Sequence, residues 1–193
     1  MRCFFALSPP KQVRAEIDSL AASLYRQASG IAPGITHGNS SGNSSGQKHG
    51  RRYGRRIPAE NYHVTLHFLG EVSEDQLDCY RSAADGLHAP SFSLRLDTTG
   101  FFRRAGIGWI GPEICPDNLL QLHEQLADQL SACGYRHEQR SYLPHVSLFR
   151  RCQKPLKPAQ PFLIDWQVKD FSLFESVPTR DGVIYRELCN YPL

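Results

Sequence analysis

Short apolar runs with strand character and longer segments with helical periodicity follow one another along this chain, in an order that occurs twice. The run RCFFALS at 2–8 reads as a strand. Ser8 with Pro9 and Pro10 then opens a helix, because proline is tolerated in a first turn, and Val13, Ile17, Leu20, Ala21 and Leu24 form its apolar face. YHVTLHFL at 62–69 is the next strand. SEDQ at 73–76 has the form of a capping box and starts a second helix through Leu77, Tyr80, Ala84 and Leu87. FSLRLDTTGFF at 92–102 reads as one further strand.

The second half runs in the same frame. GIGWIGPEI at 106–114 is strand-like, and 117–134 is a helix with Leu119, Leu122, Leu126 and Leu130 on one face and Gly134 as its stop. YLPHVSLFR then supplies a strand matching YHVTLHFL, and WQVKDFSLFESV at 166–177 matches 92–102. Proline-rich CQKPLKPAQP at 152–161 removes the helix that would come next, and GVIYRELCNY at 182–191 adds a last strand. Two pseudo-repeats, about 1–102 and 103–193, predict a duplicated α+β fold whose lobes are related by a pseudo-twofold axis.

Composition narrows the setting. At 193 residues, with 40% hydrophobic and 21% charged residues, one bilobal globular domain is expected. No apolar run approaches the roughly 20 residues needed to span a bilayer, and CFFAL at 3–7 is too short for a secretory core, so a cytoplasmic location is expected. Six cysteines stand singly, with no C-x-x-C pair, which favours reduced thiols. The net charge of +3 is small, but it is unevenly spread. A Gly/Ser/Asn-rich insertion at about 29–56 ends in Arg51, Arg52, Arg55 and Arg56 around Tyr53. That segment reads either as a solvated basic loop or as a contact for a phosphate backbone.

The chemistry lies in two tetrads, His63-Val64-Thr65-Leu66 and His145-Val146-Ser147-Leu148. Strand alternation puts His63 and Thr65 on one face and Val64 and Leu66 on the other, and does the same for the second tetrad. If Val and Leu are buried, two histidines and two hydroxyls look into one cleft between the lobes. Such a cleft suits a tetrahedral oxyanion. The hydroxyls donate to its oxygens, one imidazole takes a proton from the attacking oxygen and the other gives one to the leaving oxygen. One such tetrad alone would read as an ordinary strand histidine; two at matching places of a repeat outweigh that reading. Metal binding through His63, His67 and His145 is not expected, because no Asp, Glu or Cys stands at ligand spacing. His67 is expected at the rim, and His37, His49, His88, His123 and His137 on the surface. No G-x-S-x-G elbow supports serine hydrolase chemistry.

The two tetrads, with FFALSPP at 4–10, FLGEV at 68–72 and RSYLPHVSLFR at 140–150, resemble the RNA 2′,3′-cyclic phosphodiesterases, historically called 2′-5′ RNA ligases, of the two-histidine phosphoesterase superfamily. The resemblance implies a bilobal fold of two antiparallel sheets, helices outside, with a central cleft. It also implies hydrolysis of RNA 2′,3′-cyclic phosphate ends to 2′-phosphates without metal or other cofactor. Carried onto these positions, His63 would be the general acid, His145 the general base, and Thr65 and Ser147 the hydroxyls that hold the phosphate. Arg140 matches a phosphate-binding arginine, Tyr142 would stack on a base, and Phe68 is expected in the core. The chain departs from the family in its long 29–56 segment, in His67 where members often carry lysine, and in serine rather than threonine at 147. The expected partner is RNA, with no membrane, bound by a monomer. With a ribose 5′-hydroxyl instead of water as the nucleophile, the same site would join a cyclic end to that hydroxyl. The reading from another class is a non-catalytic RNA-binding module that keeps the cleft as an anion pocket.

Overall fold

A computed structural model describes residues 1–29, 54–137, 140–180 and 182–193, so the Gly/Ser/Asn run, Arg51, Arg52, Tyr53, His37 and His49 lie outside the described residues. The elements, in chain order, are β1 (Arg2–Leu7), α1 (Lys11–Ser29), β2 (Arg55–Arg56), a 3-10 turn (Ala59–Asn61), β3 (Val64–Glu71), α2 (Glu74–Asp85), β4 (Phe92–Leu96), β5 (Thr98–Phe102), β6 (Ile107–Gly111), α3 (Asp117–Ser131), β7 (Val146–Arg150), β8 (Ile164–Val168), β9 (Asp170–Thr179) and β10 (Gly182–Pro192). The capping box forms as the sequence predicts: the Gln76 amide donates to the Ser73 hydroxyl, and the Ser73 amide donates to the Gln76 side chain. On α1, Val13, Ile17, Ala21 and Leu24 are buried, as the 3.6-residue period requires.

Strands pair antiparallel in the order β10-β9-β1-β3-β7-β6-β5, with β2 alongside β7; β4 and β8 form a separate two-stranded sheet. The two halves therefore share one continuous sheet, joined where Val64 of β3 lies opposite Val146 of β7. Apolar faces of the three helices and of β4 and β8 form one core with Val64, Leu66, Val146 and Leu148. Covering that face with helices leaves the other face of the tetrad strands for a cleft.

Two runs that read as single strands each divide in two. FSLRLDTTGFF bends at Asp97, whose carboxylate accepts from the Glu113 amide at 2.7 Å, so that β4 pairs with β8 while β5 crosses to β6. WQVKDFSLFESV divides at Lys169, and β9 crosses to β1. Each half thus gives a strand to the other half's edge, through a bend that carries no glycine or proline to announce it. The cysteine expectation is also corrected. Cys79 of α2 and Cys133 after α3 form a disulfide, while Cys3, Cys115, Cys152 and Cys189 are free. Their separation of 54 residues hides the packing of α2 on α3 that brings them together. No helix among the described residues is long and apolar enough to cross a membrane.

Two histidines, His67 expected at the rim and His123 at the surface, belong to the core. His67 is 3% and His123 8% exposed. The His67 Nε2–H donates to the His123 carbonyl at 2.8 Å, which leaves Nδ1 to accept from the Tyr135 hydroxyl at 3.1 Å. The His123 ring is stacked between His67 (4.2 Å) and Tyr142 (3.9 Å). Burial, with the neighbouring His67 and His137, holds the His123 pKa down to about 3. His88 and His137 are exposed, as expected.

Two outcomes follow from this packing. Gly100 lies opposite Trp109 across β5 and β6, and a Cβ on it would fall 1.9 Å from the indole. Gly100→Ala is therefore expected to cost about 1–3 kcal/mol through overpacking, read as a lower urea midpoint; an unchanged midpoint would mean the indole has room to move. The unfolded chain takes up a proton on His123 near pH 6.5, whereas the folded one resists it down to about 3, so the unfolded state binds more protons between those values and acid favours it. Melting temperature is expected to fall as the pH is lowered from 7 towards 4. His123→Phe, which keeps a ring in the stack, should flatten the fall, and an unaltered slope would contradict this account.

Candidate active site

His63 directly precedes β3 and His145 directly precedes β7. Each ring is held by the carbonyl two residues before it: His63 Nδ1–H donates to Asn61 at 2.8 Å, and His145 Nδ1–H donates to Leu143 at 2.9 Å. A carbonyl can only accept, so the neutral rings carry hydrogen on Nδ1 and keep Nε2 as the acceptor for the cleft. Aromatic side chains buttress both. Phe4 and Tyr185 lie 5.2 and 4.9 Å from the His63 ring, and Phe102 and Trp109 lie 4.9 and 5.8 Å from that of His145.

Continuing the antiparallel register outward from Val64 and Val146 puts His63 across from Ser147 and Thr65 across from His145. All four line one cleft of about 610 Å³. Cross-strand neighbours have Cβ atoms about 5 Å apart and diagonal ones about 7–8 Å apart, so the two imidazoles sit at opposite corners with a hydroxyl beside each. The gap suits one tetrahedral anion.

Strict alternation fails beyond the tetrads, and it fails identically in both. Along β3 Phe5 pairs with His67 but Ala6 with Thr65, so Leu66 is an extra residue; along β7 Gly108 pairs with Phe149 but Trp109 with Ser147, so Leu148 is extra. These are β-bulges, and each reverses the in-and-out order that follows it. His67 and Phe149 turn into the core, while Phe68 and Arg150 emerge on the cleft face. Phe68, expected in the core, is 58% exposed. Arg150 was not singled out by the sequence reading, which had no mark of the bulge to go on; the matched spacing of five residues from His63 to Phe68 and from His145 to Arg150 is the signal that finds it.

Cations gather along this cleft. Arg55 and Arg150 pair across β2 and β7 and both line it. Arg56 also lines it but is ion-paired with Asp18 and donates to the Asp18 carbonyl at 2.9 Å, which ties β2 to α1. Burial lowers the His63 pKa to about 4, with the charge of His145 and Arg150 adding to it and the Asn61 carbonyl opposing. Burial lowers that of His145 too, against the Leu143 carbonyl. Both rings are therefore neutral near pH 7.

Arg140 and Tyr142 line an adjoining cleft rather than this one. The Tyr142 ring is stacked on His123, and its hydroxyl donates to the Thr65 carbonyl at 3.1 Å, which fixes the first tetrad strand. Among the described residues no three His, Cys, Asp or Glu side chains converge to hold a metal ion.

Known proteins resemble this chain along most of its length. The family model described as the 2′-5′ RNA ligase superfamily matches residues 40–184. The RNA 2′,3′-cyclic phosphodiesterase of Escherichia coli is 28% identical over 193 residues, covering 100% of this chain and 96% of its own. That of Thermotoga maritima is 31% identical over 147 residues, covering 68% of this chain and 75% of its own. Among solved structures, E. coli LigT complexed with 3′-AMP aligns with a TM-score of 0.77 at 28% identity over 100% of this chain and 97% of that one. With its paired tetrads in one cleft and these relatives along its length, the chain belongs to the 2′-5′ RNA ligase superfamily.

Proposed function

We propose that this chain is an RNA 2′,3′-cyclic phosphodiesterase that opens terminal cyclic phosphates to 2′-phosphomonoesters by acid–base catalysis between His63 and His145. One observation carries the reading: the Val64–Val146 pair sets two imidazoles and two hydroxyls around a single gap, with both Nδ1 atoms already committed to carbonyls. The E. coli relative named for this activity, which matches the full length, supports it.

Water is the nucleophile. His145 Nε2 takes its proton as the new P–O bond forms, and the P–O3′ bond breaks as protonated His63 delivers the Nε2 proton to O3′. His145 leaves the cycle protonated and His63 neutral, and exchange with solvent resets both. Thr65 and Ser147 donate hydroxyl hydrogens to the non-bridging oxygens, where charge is held through the transition state. The acid and base roles follow the family resemblance. Arg150 adds positive charge at the phosphate, and Arg140 contacts substrate from the adjoining cleft. Tyr142 holds the Thr65 strand through its hydroxyl, with His123 stacked on one face of its ring. Both tetrads come from one chain, so a monomer holds a complete site. The same forward path, with a 5′-hydroxyl in place of water as the nucleophile, forms the new P–O5′ bond as P–O3′ breaks and gives a 2′-5′ linkage.

His63→Ala and His145→Ala are each expected to lower kcat/KM by at least about a hundredfold on a short RNA ending in a 2′,3′-cyclic phosphate, with unchanged melting temperature, and EDTA is expected to change nothing. Binding of such an RNA without turnover by the intact protein would instead make the cleft an anion pocket. Inhibition by EDTA would overturn the metal-independent mechanism.

A further inference from the structure

A second cleft, of about 680 Å³, opens beside the first, and the two share Thr65, Phe68, Phe102 and His145. They meet where the reacting phosphate sits. The outer wall of the second cleft is the turn between β5 and β6, where Arg103 and Arg104 stand exposed. Gly106, at φ +61° and with the Cys152 carbonyl 3.3 Å from where a Cβ would lie, closes that turn. Arg140 lines the same cleft, as do His137 and Leu143 on the segment leading to β7. Phe68 projects at the junction of the two clefts.

The described lining of this cleft is basic. No Asp or Glu is among the described residues that line the second cleft, whereas the first includes Glu60 and has one of its arginines paired with Asp18. A cyclic mononucleotide has a single phosphate, and the two tetrads already hold it. Three further guanidinium groups leading away from that phosphate, past an exposed phenyl ring, match a ligand that carries more phosphates at intervals and flat bases between them. That ligand is the polynucleotide chain upstream of the reacting end.

We propose that the second cleft binds the nucleotide preceding the terminal one, with Arg103 and Arg104 holding the phosphodiester that joins them and Phe68 stacking on a base at the junction. The proposal rests on the cyclic-phosphodiesterase reading and adds to it a preference for chains over mononucleotides, set by the tip of the β5–β6 hairpin. Guanidinium forks suit a phosphodiester because two donors can meet two of its oxygens.

The test compares 2′,3′-cyclic AMP with an adenylate trimer ending in a 2′,3′-cyclic phosphate, using intact protein and the double variant Arg103→Ala/Arg104→Ala. For the trimer, KM is expected to rise about tenfold, the loss of one charge-assisted contact, and the fall of log(kcat/KM) with log salt to flatten by about 0.7 for each phosphate contact removed. The mononucleotide, which does not reach the hairpin, is expected to keep its KM. The double lysine variant, which keeps the charge, should recover most of the trimer's affinity. An equal shift for both substrates, or none for the trimer, would overturn the proposal while leaving the cyclic-phosphodiesterase reading intact. So would a double variant that cleaves the trimer normally but no longer joins it to a 5′-hydroxyl strand, because the cleft would then hold the incoming strand. Failure of the intact protein to turn over either substrate would remove the cyclic-phosphodiesterase reading, and this proposal with it.

Discussion

Everything in the cleft depends on the join between β3 and β7 at Val64 and Val146. Both valines are fully buried, and they face a core built from all three helices and the small sheet. Burial of that pair fixes which way the neighbouring residues must point, because a strand that buries one residue turns the adjacent ones to the opposite face. The helices supply the apolar driving force, and the sheet converts it into the positions of four polar groups. Chemistry and stability are therefore set by opposite faces of the same strands.

The bulges at Leu66 and Leu148 complete the arrangement. Without them, His67 and Phe149 would enter the cleft and Phe68 and Arg150 would leave it. With them, the burial pattern along Val64–Phe68 repeats along Val146–Arg150 residue by residue. The duplication thus reaches below the level of fold to a local irregularity, which each half uses to place a fifth residue beside its histidine. The two differ in kind. Phe68 offers an apolar face and Arg150 a charge, so the nearly symmetric pair of tetrads looks onto an asymmetric cleft.

Much of this was legible in the sequence. Repeated strand and helix signals gave the α+β duplication, the capping box placed α2 correctly, and alternation within each tetrad put His63, Thr65, His145 and Ser147 on one face. What escaped was long-range or unmarked. Leu66 and Leu148 are ordinary strand residues, so nothing local announces an extra position in the ladder, and His67 and Phe68 were assigned to the wrong sides as a result. His123 is different: it lies on the buried face of α3, four residues after Leu119 and three before Leu126, so the helical period marks its position and only its polarity argues for the surface. The Cys79–Cys133 link required knowing that α2 and α3 are neighbours. Arg140 lines the cleft that adjoins the tetrads and shares Thr65 and His145 with them, a placement that strand alternation does not give.

In this mechanism the two histidines work as one acid–base pair. The pH dependence of kcat/KM tests it most directly, because that ratio reports the free protein. Burial holds His63 at about 4 and lowers His145, yet the reaction needs one ring protonated and the other neutral. The singly protonated form is most abundant between two values that both lie below about 6.5, the ordinary value for histidine. The expected profile is a bell with its summit on the acid side of 6.5, falling about tenfold per pH unit above it. A profile that rises through neutrality to a plateau would contradict the claim, since a buried pair sharing one proton cannot produce it.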